Sequence, residues 1–143
     1  MTPLTQERLE LTIEVAGPAM LDLTQKVAAW LERIRARDGL LTLFLRHTSA
    51  SLTIQENGDA KARTDLIEAL QRLAPESSVY RHAAEGADDM PAHIKSMLTS
   101  VSLSIPVFEH SPALGQWQGV FVIEHRKRPA PRDVLVHFIG SAG

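Results

Sequence analysis

Three strand-like segments follow one another at the end of this chain, Val101 to Phe108, Gly119 to His125 and Asp133 to Gly140, and that succession limits the fold more than any other feature. Pro112 and the Pro129-Ala130-Pro131 run mark turns between them. A doubly wound parallel sheet alternates strands with helices, so strands bunched in this way point to an α+β, largely antiparallel fold.

Upstream, the hydrophobic period changes along the chain. Leu9, Leu11, Ile13 and Val15 alternate with Glu10, Thr12 and Glu14, the period of two of a half-buried strand. Gly17-Pro18 breaks that pattern. From Leu23 onward Val27, Trp30, Leu31 and Ile34 recur at helical spacing. Asp22 is the expected N-cap and Gly39 the expected stop, with Arg33, Arg35 and Arg37 near the negative end of the helix dipole. Leu40 to Arg46 reads as a strand apolar on both faces, and so as one inside a sheet. After His47-Thr48-Ser49, Ala50 to Gln55 resumes an extended pattern. Asn57-Gly58-Asp59 turns into a second helix with Ala62, Leu66, Ala69, Leu70 and Leu73 on one face, ended by Pro75. Glu76 to Met90 is fifteen mostly polar residues, long for an inert connection. A third, short helix then starts with Asp89 near its N-cap and Pro91 near its first position, running to about Thr99. At least one sheet face is left to pack against another sheet or another subunit.

The 143 residues fit one domain, 1–143. A net charge of -2 supplies no global positive field, so neither nucleic acid nor an anionic membrane is an expected partner. The local run Arg126-Lys127-Arg128 reads as a solvated turn after a strand. With no cysteine, disulfides, thiolate zinc sites and cysteine nucleophiles are excluded, and any transition metal has to be held by His and carboxylate. Met1 to Glu14 has no apolar core suited to a signal peptide, and no stretch approaches the roughly 20 apolar residues of a membrane span, so a cytoplasmic location is expected.

Three groups of residues have the types that chemistry needs. On an extended chain His47, Ser49 and Ser51 share a face beyond Leu43 and Leu45, as where a strand leaves a core for a cleft. The simpler account is hydroxyls capping a strand end. The loop carries Tyr80-Arg81-His82, Glu85, Asp88, Asp89 and His93. His82 and His93 match no standard zinc spacing, yet a loop folded back over the third helix brings both toward His47. Three neutral imidazoles with an open position suit Zn2+, whereas carboxylates with water suit Mg2+. The simpler account is a solvated acidic loop with Asp89 as a helix cap. Finally, Glu124 shares a strand face with Val120 and Val122, where an ionised carboxylate is costly unless it lies at a rim, meets Arg or His, or binds something. Asn57 and Asp65 flank the start of the second helix, where anions are favoured.

Taken together, HTSASLTIQEN at His47 to Asn57, YRH at Tyr80 to His82, EGADDMPAHIKSML at Glu85 to Leu98 and LGQWQGVFVIEHR at Leu114 to Arg126 closely resemble the YjbQ-like family, in order and at the right spacing. Gly58-Asp59-Ala60 is a mild departure, since relatives often carry Ala-Asp-Pro there. The resemblance implies two packed sheets with two or three helices, assembling as a homotrimer. It implies shared polar residues at His47, Ser49, Asn57, Asp65, His82, Glu85, Asp89, His93, Trp117, Gln118 and Glu124. It also implies a secondary thiamine-phosphate synthase activity, joining a pyrimidine diphosphate to a thiazole phosphate with release of pyrophosphate. On that reading His47, His82, Glu85, Asp89 and Glu124 are the catalytic candidates. Ser49, Asn57, Asp65, Trp117 and Gln118 bind the phosphorylated heterocyclic substrate, and His47, His82 and His93 hold a divalent metal. The alternative is a non-catalytic trimer that binds a metal or small ligand.

Overall fold

In the computed structural model, which describes residues 3–143, the late strands become the middle of two antiparallel sheets. Met1 and Thr2 of the expected 1–143 domain lie outside the described residues. The elements are β1 (Thr5–Ile13), β2 (Ala19–Asp22), α1 (Thr24–Arg33), β3 (Ala36–Leu45), β4 (Ala50–Glu56), α2 (Ala60–Leu73), α3 (Asp89–Leu98), β5 (Ser102–Phe108), β6 (Ser111–Pro112), β7 (Gln118–Glu124) and β8 (Arg132–Ala142). The large sheet has the order β1-β8-β3-β5-β6 and the small sheet β2-β7-β4.

Period-two alternation decides which residues meet between the sheets. Val134, Val136 and Phe138 of β8 and Leu41, Leu43 and Leu45 of β3 point inward from the large sheet, facing Val120, Val122 and Leu52 of the small one. α1 adds Val27, Trp30 and Leu31 to the same core. The opposite face of the small sheet carries Ser51, Phe121, Ile123 and His125, with α2 and α3 over it. The opposite face of the large sheet leaves Leu40, Phe44 and Ile139 substantially exposed.

Several expectations are corrected. Gly39 does not stop α1; Arg35 does, at a φ of 58°, and Gly39 lies inside β3 opposite Gly140. A Cβ at Gly39 would run into the Ile139 carbonyl and the Gly140 Cα, so the glycine serves close backbone approach. Asp22 caps one position early: its Oδ1 accepts from the Thr24 amide at 2.8 Å while Leu23 occupies the N-cap. β2 and β6, of four and two residues, are too short to show a period. The chain leaves β3 before His47 and enters β4 only at Ala50, so His47, Ser49 and Ser51 do not form one strand face. The apolar face of α2 packs with no residue fully buried.

Two polar devices sit inside this frame. Glu124 is 0% and Arg132 4% exposed, one at the end of β7 and the other at the start of β8. Arg132 donates from Nε and Nη2 to the two Glu124 carboxylate oxygens at 2.7 Å each, a bidentate bond that stitches the two sheets. On the outer face of the small sheet, buried His125 meets the Ser51 hydroxyl at 2.8 Å through Nε2, and Ser51 Oγ lies 2.7 Å from the Thr99 hydroxyl, whose proton goes to the Lys95 carbonyl at 2.7 Å. Burial first, then the charges of Lys95 and Arg132, hold the His125 pKa down to about 3.

Removing one partner of a buried ion pair leaves the other uncompensated, so Arg132→Met should lower the unfolding free energy by about 3–5 kcal/mol. The Glu124→Leu/Arg132→Met double variant should lose less; both are read by urea denaturation. The unfolded chain protonates His125 near pH 6.5 whereas the folded chain holds it neutral to about 3. Its contribution is therefore full above 6.5 and is lost as pH falls, at roughly 1.4 kcal/mol per pH unit. His125→Gln should flatten the urea midpoint against pH between 6 and 4, measured beside the parent chain.

Candidate functional site

Asp89 and His93 lie four residues apart on α3, which places their side chains on one face of the helix. The N-cap is Asp88, and Asp89 turns inward instead of capping: it is 3% exposed. That corrects the cap expectation. Its Oδ2 lies 2.7 Å from His82 Nε2 and 3.2 Å from His93 Nε2, while Oδ1 accepts from Arg126 Nη1 at 2.6 Å. The loop has folded back over the third helix and delivered His82 beside His93, with ring centroids 5.4 Å apart.

A proton count on His93 is informative. Its Nδ1 lies 2.7 Å from the Thr48 carbonyl oxygen, which can only accept, so Nδ1 carries a proton. In neutral imidazole that leaves a bare lone pair on Nε2, aimed at the Asp89 carboxylate. Two lone pairs facing each other at 3.2 Å repel unless a proton or a cation stands between them. One atom each of His82, Asp89 and His93 fall within 4.8 Å of one another. Donors around a tetrahedral ion with bonds of about 2.1 Å sit roughly 3.4 Å apart, so the set fits a metal with small side-chain adjustments.

Arg126 positions the carboxylate. Its backbone amide donates to Glu124 Oε2 at 3.0 Å, its Nη2 donates to the Glu85 carbonyl at 2.9 Å, and it pairs with Asp88 at 3.2 Å. Burial works against both charges and is outweighed, at Asp88 by bonds from the Lys127 amide and Arg126, and at Arg126 by the bond to Asp88. The Asp88 carboxyl is thus held below, and the Arg126 guanidinium above, their ordinary ranges. Lys127 also pairs with Glu76 at 3.1 Å. The basic run is accordingly not a free solvated turn. It clamps the loop. Hollows of about 310 and 380 Å³ open on either side, one lined by Tyr80, His82 and Met90, the other by Glu85, Arg126 and Arg128.

His47 stands apart from this group. Its Nε2 accepts from the Asp133 amide at 2.8 Å and its Nδ1 lies 3.5 Å from Arg132 Nη1. Burial, then the Arg132 charge, lowers its pKa and favours the neutral ring. Ser49 offers its carbonyl to Arg132 Nη2 at 3.2 Å. His47 and Ser49 therefore border the site through the Glu124–Arg132 pair, and Thr48 between them holds His93. Glu85 reaches the site by its backbone, with its side chain exposed.

Asn57, Trp117 and Gln118 are elsewhere. In the β4–β7 register Ala50 lies opposite Glu124 and Glu56 opposite Gln118, so the second cluster lies roughly 20 Å from the first. There Asn57 Nδ2 donates to the Gln118 carbonyl at 3.2 Å, Gln118 Oε1 accepts from the Gly115 amide at 2.7 Å, and Trp117 lies over Gly58. Asp65 is exposed on α2. Arg132 and the Thr48 carbonyl were not among the expected site residues. Arg132 did carry a signal: it has the same strand parity as Val134, Val136 and Phe138, and so faces the core.

Known proteins align over nearly the whole chain. Residues 9–141 match the family described as UPF0047 protein YjbQ-like. A UPF0047 protein of Synechocystis is 47% identical over 92% of this chain and 90% of its own length, and UPF0047 protein YjbQ of Salmonella typhimurium 46% identical over 72% and 75%. A yjbq/upf0047 family protein of Clostridium acetobutylicum superposes with a TM-score of 0.83 at 30% identity, covering 91% of this chain and 98% of that one. A YbjQ-like protein of Sulfolobus solfataricus shares the fold, with a TM-score of 0.90 at 18% identity over 97% and 100%. Among the described residues no helix is long and apolar enough to cross a membrane. The chain belongs to the YjbQ-like UPF0047 family.

Proposed function

We propose that His82, Asp89 and His93 hold a divalent transition metal and that the chain uses this centre as a thiamine-phosphate synthase. The facing lone pairs of His93 and Asp89 carry the reading, because a cation between them removes a repulsion that neutral side chains alone leave in place. Two imidazoles and one carboxylate favour zinc or a neighbouring transition metal over Mg2+, which prefers oxygen donors. The metal would supply Lewis acidity toward the departing pyrophosphate. Around it, Arg126 would hold Asp89 in place and Thr48 would fix the His93 tautomer. Arg81, exposed on the loop, adds positive charge for a phosphate.

The placement of Asn57, Asp65, Trp117 and Gln118 far from the histidines favours a second element of the proposal, a homotrimer in which neighbouring copies supply what one chain separates. Leu40, Phe44 and Ile139 on the outer face of the large sheet give such an assembly apolar surface to bury. The same separation is what a non-catalytic metal- or ligand-binding trimer would show.

Zinc titrated into chelator-treated, untagged protein should bind one ion per chain, with displacement of protons. Asp89→Asn should abolish stoichiometric binding, and Arg126→Gln should weaken it by about 10–100-fold. Loaded protein offered the pyrimidine diphosphate and the thiazole phosphate should release pyrophosphate, and His82→Ala should not. Stoichiometric metal without turnover would leave the binding protein as the answer; no metal in any preparation would remove both.

A further inference from the structure

The three side chains of the proposed centre are not held alike. Asp89 and His93 stand on α3 and are fixed by neighbouring segments, Asp89 by Arg126 and His93 by the Thr48 carbonyl. Asp89 is buried and the His93 side chain 29% exposed, whereas the His82 side chain is 55% exposed and comes from the connection between α2 and α3. That connection is pinned at both ends. Lys127 Nζ donates to Glu76 at 3.1 Å before the histidine. After it, Arg126 Nη2 donates to the Glu85 carbonyl at 2.9 Å and the Lys127 amide donates to Asp88 at 3.0 Å.

Between the pins, residues 77–84 are exposed except for half-buried Tyr80, so little apolar burial fixes their path. Among the described residues, two side-chain hydrogen bonds leave this stretch. The Tyr80 hydroxyl donates to the Pro75 carbonyl at 2.9 Å, only five residues back, and His82 meets Asp89 at 2.7 Å. His82 is therefore the one side chain that ties the stretch to another element by a hydrogen bond. Segments with few apolar contacts and exposed backbone open at low free energy. A single bond between a half-exposed imidazole and a carboxylate competes with water and is a weak latch. A metal bond to the same ring is a strong one, and it couples the order of the chain to the ion. Resting on the metal-centre reading, we propose that residues 77–84 form a strap locked by the ion: Asp89 and His93 receive the metal, and His82 then closes the loop over it. Arg81, next in sequence to His82, is carried with it, so the charge offered to a phosphate is set in place only in the loaded protein.

An ion that binds the closed strap alone lowers the open population by a factor of 1 + [L]/Kd, roughly 100-fold at a hundredfold excess over Kd. The test compares chelator-treated, full-length protein with and without zinc at a level that titration shows to saturate one site per chain. Hydrogen exchange read by mass spectrometry should slow at least tenfold in residues 77–84 and stay unchanged in β1 and β8. Trypsin cleavage after Arg81, giving fragments 1–81 and 82–143, should slow in parallel. His82→Ala, which removes an exposed ring and should match the parent by circular dichroism, should leave the segment as labile with zinc as without. Zinc bound at one per chain with unchanged exchange, a segment already protected without zinc, or protection that survives in His82→Ala would overturn the strap and leave the centre standing. No zinc binding at all would remove the centre and the strap with it.

Discussion

The Glu124–Arg132 pair is the interaction on which the site depends. Each ion on its own would cost several kcal/mol to desolvate, and the bidentate geometry returns enough of that for both to remain charged inside the fold. It joins β7 of the small sheet to β8 of the large one. The oxygens and nitrogens left over are then spent on the neighbouring chain. Glu124 Oε2 takes the Arg126 amide, and Arg132 reaches the Ser49 carbonyl and the edge of His47. Because Arg126 is anchored through its backbone, its guanidinium can span Asp88, Asp89 and the Glu85 carbonyl. One ion pair thus fixes the starting points of the three segments that surround the histidines.

Asp89 is the next link, and its charge balance explains why the cluster holds together at all. A carboxylate that is 3% exposed needs compensation, and Arg126 supplies one positive charge on Oδ1. Oδ2 is left to two imidazoles. His82 can donate its Nε2 proton there, but His93 has already committed its proton to Thr48. With His93 neutral, the carboxylate is therefore satisfied by Arg126 and His82 and faces a lone pair at its third partner. A proton on His93 Nε2 or a cation between the two groups removes the repulsion.

The large elements were legible because their periods are long enough to count. The alternation at Leu9, Leu11 and Ile13 and the helical spacing of Val27, Trp30 and Leu31 both reappear as inward faces. Gly39 was misread because a glycine that lets two strands touch carries the same letter as one that ends a helix; only its pairing with Gly140 distinguishes them. Asp89 stands among the site candidates and near the start of the third helix, with a cap as the simpler account, and the sequence leaves the direction of its side chain open. An aspartate before an apolar run is usually a cap, and nothing local says whether its side chain turns back to the amides or into the protein. His82 meeting His93 depended on the path of a loop with no period of its own. Arg132 was readable from strand parity, and Glu124 had already posed the question that it answers.

Stability and chemistry are divided between the layers of this fold. The space between the two sheets is filled by aliphatic side chains at near-zero exposure, and that is where the free energy of folding is concentrated. The helical layer is thinner. α2 contributes no fully buried residue, and α3 buries mostly Asp89, Pro91, Ala92 and Lys95 rather than large aliphatic groups. Lys95, whose ammonium is disfavoured by burial, donates to Gln71 and so ties α3 to α2 through a single neutral acceptor. Segments held by polar bonds over shallow apolar contact open more readily than a sandwich core. The histidines and Asp89 sit in that layer, while the Glu124–Arg132 pair beside them is anchored in the core.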